Sequence, residues 1–172
     1  GINGTFTGAT ATIGNVPLLL SDANGRWLFH NGDISVNGGA MVADRDANPR
    51  FYPLRSDNLK LTIGGDYVRA TGGLLHPASN TLVTNVDIEH RLSTGTGHAD
   101  LNVPGLTFNE GLQPEELTRL TEGVIALVQG SISGHGRINW DASGHVTSDG
   151  DFTTANLDLA TEARVSAAMA AV

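Results

Sequence analysis

The chain has no cysteine, and of its 172 residues only 16% are charged and 5% aromatic. Without cysteine there is neither a disulfide framework nor a thiolate metal site. Basic residues are also scarce, because Lys60 is the only lysine and the formal net charge is −8. Nucleic-acid binding needs a basic surface that displaces counterions from phosphates, so we exclude nucleic acid as a partner. No apolar run is long enough for a transmembrane helix.

The motifs of common enzymes and metal sites are missing as well. The sequence has no GxSxG, no HExxH and neither of the glycine-rich nucleotide motifs. Its six histidines never pair at the i+2 or i+4 spacing of a zinc site. Residues 44–48 (DRDAN) are like the opening of a calcium loop, but Pro49 stands where that loop needs glycine and Arg55 where it needs glutamate. We therefore predict no enzyme activity, no metal and no cofactor.

The sequence is rich in glycine, with 22 residues, and in apolar–polar alternation. The longest alternating stretch covers residues 123–140. One of its faces carries Val124, Ala126, Val128, Ile132, Ile138 and Trp140, and the other carries Gln129, Ser131, Ser133, His135, Arg137 and Asn139. This pattern predicts a long β-strand with one apolar and one polar face. Residues 141–144 (DASG) have turn chemistry, and residues 145–159 are predicted to return as another strand.

Most of the remaining chain follows the same plan. We predict strands at residues 1–13, 26–42, 50–63, 67–75, 81–92 and 97–103, with residues 21–25 as a hairpin-type loop. Within 26–42, Leu28 is predicted to share one face with Ile34 and Val36. Two segments differ: residues 113–121 predict a short helix with Pro114 at its first position and Gly123 just past its end, and residues 161–172 form an alanine-rich tail.

About nine or ten strands joined by hairpin turns predict a mainly β fold, with a long antiparallel meander sheet. The predicted helices are too few to cover the apolar face of that sheet. The sheet therefore either curls into an apolar groove or closes as a β-sandwich. Both arrangements produce the same alternation of side chains, so the pattern leaves both open.

Several segments, taken in order, resemble a bacterial envelope family. They are residues 50–55 (RFYPLR), 70–72 (ATG), 90–97 (HRLSTGTG), 101–108 (LNVPGLTF), 111–118 (GLQPEELT), 123–126 (GVIA), 128–130 (VQG) and 134–140 (GHGRINW). The ordered set is similar to the YdbH-like proteins of the AsmA-like group, a family with the older label "dicarboxylate transport". The resemblance extends to about Leu159, and residues 101–140 are its most specific part.

The resemblance implies a bridge-like lipid transfer protein, whose hydrophobic β-groove spans the periplasm and moves phospholipids between inner and outer membrane. Members of this family are longer and are anchored in the bacterial inner membrane by an N-terminal helix. Because the chain begins within a predicted strand, we expect residues 1–160 to be one β-groove module of a longer protein. The implied partners are phospholipid acyl chains, the inner membrane and other envelope proteins. The alternative is a structural or interaction β-sandwich domain of a cell-envelope protein.

A lipid groove needs no catalytic residue, since inward aliphatic side chains would contact the lipid. We predict as groove lining Val124, Val128, Ile132, Ile138, Leu59, Leu61, Ile63, Val86, Ile88 and Leu101. Each of these residues would fit an ordinary core equally well. Trp27 and Trp140 could line a ligand site, although packing at strand ends is the simpler interpretation of each.

Overall fold

Nine β-strands and one 3-10 helix make up the part of the chain that the computed structural model describes, residues 1–119 and 127–159. The strands are β1 (Ile2–Ala11), β2 (Leu18–His30), β3 (Asp33–Asp44), β4 (Leu54–Gly64), β5 (Tyr67–His76), β6 (Thr81–Arg91), β7 (Thr96–Phe108), β8 (Val128–Trp140) and β9 (Val146–Leu159). The 3-10 helix is Pro114–Glu116. The predicted tail at 161–172 lies outside the described residues. None of the described helical segments has the length and apolar character needed to span a bilayer.

The strands form one sheet in the order β1 to β9, and every neighbouring pair is antiparallel. This confirms the predicted mainly β meander. The described strands build a single sheet that does not close into a barrel, in contrast to the two packed sheets of a sandwich. Sequence neighbours are also spatial neighbours throughout, which is the topology that hairpin turns produce.

The prediction of a single strand at residues 26–42 is wrong, because a tight turn divides this stretch into β2 and β3. Asn31 and Gly32 both have positive φ, 51° and 83°, and His30 pairs with Asp33 across them. Two consecutive positive φ values are typical of the hairpin turn that Asn-Gly favours. As a result Leu28 pairs with Ser35 on the polar face, and the predicted face shared with Ile34 is wrong.

The predicted loop at residues 21–25 is also wrong, because these residues continue β2 through a bulge. Ser21 pairs with Met41, whereas Asn24 pairs with Gly39, so one extra residue is accommodated between the two pairs. Asp22 has a φ of 48° at this point. A bulge places an extra residue in one strand without ending the pairing, and turn-forming residues such as Asp and Asn tolerate it.

The predicted helix at 113–121 is reduced to the 3-10 helix Pro114–Glu116, and its last two residues, 120 and 121, lie outside the described part. Its start has the expected chemistry, since the Glu116 carboxylate accepts a hydrogen bond from the Gln113 N–H at 2.6 Å. Its end is set by tertiary contacts. The Leu117 carbonyl accepts from the Tyr52 N–H at 2.8 Å, and the Thr118 hydroxyl donates to the Arg50 carbonyl at 2.6 Å. These contacts hold the turn against the β3–β4 loop.

The sheet curls over its apolar face. The connection between β1 and β2, residues 12–17, is called here the β1–β2 corner. In a meander this corner lies at the opposite end of the strands from the β6–β7 and β8–β9 turns. The Asn15 side chain nevertheless donates hydrogen bonds to the Gly95 carbonyl, at 2.7 Å, and to the Asp141 carbonyl, at 2.8 Å. The curl therefore brings the corner across the sheet to those distant turns.

Candidate functional site

Most apolar side chains of the nine strands fall on one face of the sheet, called here the inner face; Leu28 is an exception. Two cross-strand rows define the inner face. The first row is Ile2, Phe29, Ile34, Ile63, Val68, His90, Gly97, Trp140 and Val146, and the second is Gly4, Trp27, Val36, Leu61, Ala70, Ile88, Ala99, Ile138 and Ser148. With strands about 4.8 Å apart, nine strands give an apolar surface about 38 Å wide before curling.

The opposite, outer face is polar and carries cross-strand ion pairs. Arg69 bridges to Asp87 at 2.9 Å, and Arg137 contacts Asp100 through two parallel hydrogen bonds of 2.6 and 3.0 Å. The hydrogen bond from Arg137 lowers the pKa of the Asp100 carboxyl below its ordinary value. A shallow depression of about 500 Å³ has a mixed lining of polar and apolar residues, namely Asn37, Asn58, Lys60, Thr71 and Asn85 with Leu59, Gly72 and Val86.

The structure places every described member of the predicted groove lining on the inner face, and it sorts them by burial. Val86 and Ile88 are buried in the hydrophobic core. Partly buried side chains packed against that core are Leu59, Leu101 and Ile138. Partly buried side chains outside it are Leu61, Ile63, Val128 and Ile132. The remaining predicted residue, Val124, lies outside the described residues.

The β1–β2 corner covers the middle of the inner face. Val16 is only 5% exposed and belongs to the same core as Ile88 and Trp140. Ile13, just before it, packs against that core as well. The corner also approaches β6 closely, because a Cβ added to Gly14 would lie 3.2 Å from His90 Nε2. The chain itself therefore fills the central section of the inner face.

On both sides of this central section the inner face remains partly exposed. At the β1–β2 edge, Ile2 is 65% and Phe29 43% exposed, and Trp27 beside them is half-buried. At the β9 edge, Phe152 is 44% exposed. We call these two regions the β1–β4 flank and the β8–β9 flank. Ile34, Val36, Leu61 and Ile63 belong to the first, and Ile132 belongs to the second.

Aromatic rings lie over glycines on this face. A Cβ on Gly4 would meet the Trp27 ring at 2.8 Å, and a Cβ on Gly97 would meet the Trp140 ring at 2.7 Å. The absence of a side chain on the neighbouring strand lets each ring lie close against the sheet. The flat rings contribute apolar surface to the inner face.

Trp140 has a structural role, in line with the simpler interpretation of its sequence position. It is buried, and its Nε1–H donates to His90 Nδ1 at 3.1 Å, while the two rings stack with centroids 6.2 Å apart. Because Nδ1 accepts this bond, the proton of neutral His90 is on Nε2. Burial lowers the pKa of His90, although the charge of Asp66 partly opposes this shift.

The segment that is like a calcium loop holds an ion pair. Both carboxylate oxygens of Asp44 accept from the Arg50 guanidinium, at 2.7 and 3.1 Å, and the backbone N–H groups of Asp46 and Arg50 also donate to them. Burial alone would raise the pKa of Asp44, but these hydrogen bonds outweigh it and the pKa is lowered. Among residues 1–119 and 127–159 no cluster of histidine and acidic residues could hold a metal ion.

Sequence reasoning missed or set aside several residues of the β1–β4 flank, namely Trp27, Phe29, Ile34 and Val36. The cause is the unrecognised Asn31-Gly32 turn, which decides which side of β2 faces inward. The signal was present, since Asn-Gly between apolar stretches is the strongest short-range indication of a hairpin.

An open antiparallel sheet with an apolar inner face and a polar outer face has the architecture of a β-groove. The family comparison agrees with this class. The model of the YdbH-like family, described as "Intermembrane phospholipid transport protein YdbH", matches residues 3–167. The chain therefore belongs to the YdbH-like family, whose name implies phospholipid transport between membranes. No curated protein and no solved structure gives a significant match.

Proposed function

We propose that this chain is one section of a periplasmic lipid conduit, and that its inner face carries the acyl chains of phospholipids moving between inner and outer membrane. The observation that supports this most is the pair of exposed apolar flanks. Ile2, Phe29 and Phe152 would otherwise keep large apolar surfaces in water. Exposed apolar surface of this kind marks a binding face.

The energetics of acyl chains favour such a surface. Transfer of one CH₂ group from water to an apolar environment contributes about 0.8 kcal/mol, so a two-chain lipid does not cross water unaided. A continuous apolar face lets the lipid slide without exposing its chains, while the headgroup stays in water beside the groove. No step needs a catalytic residue or a cofactor. We propose that the longer parent protein is anchored in the inner membrane and that residues 1–160 form one module.

The predicted lining residues have different roles, according to whether they lie in a flank or under the corner. We propose that Leu61 and Ile63 contact acyl chains in the β1–β4 flank, and that Val128 and Ile132 do so near β9. Val86 and Ile88, which are buried beneath the corner, would mainly hold the sheet in its curled form. Leu59, Leu101 and Ile138 lie at the border between core and flank. Val124 remains a predicted lining residue.

Site-specific photocrosslinking tests this proposal with a matched pair of positions. A benzophenone amino acid replaces Leu61, on the inner face, or Thr62, its neighbour on the outer face. The protein is then illuminated with phospholipid vesicles, and lipid adducts are measured by mass spectrometry. We expect adducts from position 61 and few from position 62. Equal labelling at both positions, or none at either, would contradict a lipid-binding inner face.

A second candidate function is a structural or interaction domain of the cell envelope. The observation in its favour is the β1–β2 corner, because Val16 and its neighbours already bury the middle of the inner face. A domain of that kind would bind another envelope protein and would not take up lipid. The crosslinking experiment separates the two, since an interaction domain gives no lipid adducts.

A further inference from the structure

The β1–β2 corner is the one described segment that passes over the inner face between its two flanks. It starts from the β1–β2 edge, and its Asn15 reaches the turns that join β6 to β7 and β8 to β9. On the β3 side, Arg45 donates from its backbone N–H to the Pro17 carbonyl at 3.1 Å and from Nη1 to the Gly14 carbonyl. The corner therefore bridges the two halves of the curled sheet.

The bridge across the groove rests on few polar contacts. On the far side, the Asn15 side chain donates two hydrogen bonds, and both end on carbonyls of turns. Turn carbonyls such as those of Gly95 and Asp141 can bond water instead, so breaking these bonds leaves no buried group unpaired. The other contribution is aliphatic, because Ile13 and Val16 pack on the core.

An acyl chain offers the inner face the same kind of contact as those aliphatic side chains. Burial of methylene groups is non-directional and scales with area, so a lipid chain can replace Val16 and Ile13 at a similar free energy. A chain that moves along the inner face from the β1–β4 flank to the β8–β9 flank meets the corner on the way. The corner and the lipid therefore compete for the central section.

We propose that the β1–β2 corner is a gate, latched by Asn15, that closes the groove in the lipid-free protein and lifts off when an acyl chain passes. This rests on the proposed lipid function and adds a regulated step to it. The closed form keeps the central core dry, and the open form makes the two flanks continuous.

The absence of cysteine from the sequence allows a clean test. Asn15 Oδ1 and the Ala142 Cβ both lie within about 3 Å of the position that a Cβ on Gly95 would occupy, at 3.1 and 3.0 Å. The variant N15C/A142C is therefore joined by a short bis-methanethiosulfonate linker, which dithiothreitol releases. The control T94C/A142C joins two turns on the same side of the groove. Loading is measured with phosphatidylethanolamine that carries a fluorescent acyl chain, in vesicles of phosphatidylethanolamine and phosphatidylglycerol.

We expect the linked N15C/A142C protein to load at least about tenfold less lipid than its unlinked form, because apparent affinity scales with the open fraction. Reductant should restore loading, and linked T94C/A142C should load like its unlinked form. Equal loading of linked and unlinked N15C/A142C would overturn the gate and leave the lipid function in place. No loading even by the unmodified protein would overturn both.

A single substitution gives an independent check that does not depend on the linker. N15A removes the latch without touching the apolar contacts of the corner. It should load lipid several-fold faster than the unmodified protein and to a final extent at least as great, because the open fraction rises. An unchanged or slower rate would overturn the assignment of Asn15 as the latch.

Discussion

Truncation of Ile88 is expected to cost much more folding free energy than truncation of Ile63, although both isoleucines lie on the inner face. Ile88 is 7% exposed and packs in the core beneath the β1–β2 corner, whereas Ile63 is partly exposed and lies outside that core. Comparing the two therefore tests whether the inner face is locally closed or open along its whole width.

The magnitudes follow from what each substitution removes. Ile→Ala deletes three carbon atoms, worth about 2.4 kcal/mol at about 0.8 kcal/mol each when fully buried. Truncation of Ile88 leaves a cavity under the corner, so we expect the free energy of unfolding to fall by about 3 kcal/mol in total. Part of the Ile63 side chain is already in water and its truncation forms no closed cavity, so we expect the free energy of unfolding to fall by about 1 kcal/mol.

Urea unfolding, followed by tryptophan fluorescence and circular dichroism, measures the difference. Both variants should keep the slope of the unmodified protein, so that the shift in midpoint reports stability alone. Similar losses of about 1 kcal/mol for both variants would refute the inference that the corner packs on Ile88. Two losses of about 3 kcal/mol would show that the β1–β4 flank is buried too.

Three further predictions concern stability. His90 has a lowered pKa in the native state, so below its ordinary value of 6.5 the unfolded chain binds a proton that the native state does not. The free energy of unfolding should therefore fall as the pH drops from about 7.5 to 5.5, and His90 should contribute at most about 1.4 kcal/mol per pH unit to this fall. If the H90Q variant shows the same dependence of stability on pH, the effect does not come from His90. In β7, Gly97→Ala should cost about 2 kcal/mol, because its Cβ would lie 2.6 Å from a backbone carbonyl of β6. Gly105→Ala is the control and should cost little folding free energy, because there is open space around Gly105. Equal losses of stability for the two variants in urea unfolding would refute the close approach of Gly97 to β6. Asp44→Asn removes the carboxylate charge that pairs with Arg50 at 2.7 Å, so the free energy of unfolding should fall by about 2 kcal/mol and the thermal midpoint with it. An unchanged thermal midpoint would contradict a stabilising ion pair.

The sheet could be predicted from the sequence because each strand contains its own alternation and each turn its own local chemistry. β5 and β6 illustrate this, since the apolar positions Val68, Val86 and Ile88 all point inward as expected. Local rules were sufficient where a hairpin has one dominant signal. These local rules were misapplied at Asn31-Gly32, because the turn signal lay inside a long run of strand-forming residues. This turn determines which residues of β2 face inward.

The division of the inner face into a core and two flanks could not be predicted in the same way. It depends on the curl of the sheet, which brings Asn15 to turns that are 80 and 126 residues away in the sequence. The apolar–polar alternation carries no information about such a contact. Ile88 and Ile63 therefore have the same alternating pattern around them in the sequence. The helix predicted at 113–121 is a similar case, because the β3–β4 loop accepts and donates the hydrogen bonds that follow the 3-10 helix Pro114–Glu116.

Native mass spectrometry of the purified chain with added phosphatidylethanolamine tests the central claim most directly. The comparison is between Ile132→Asp, on the inner face of the β8–β9 flank, and Ser133→Asp, the next residue on the outer face. A charge on the inner face must be desolvated by an acyl chain, whereas a charge on the outer face stays in water. If the inner face binds phospholipid, the unmodified protein and S133D should retain lipid and folded I132D should lose it. A folded I132D protein that retains lipid like S133D, or an unmodified chain that binds none, would contradict the proposed function.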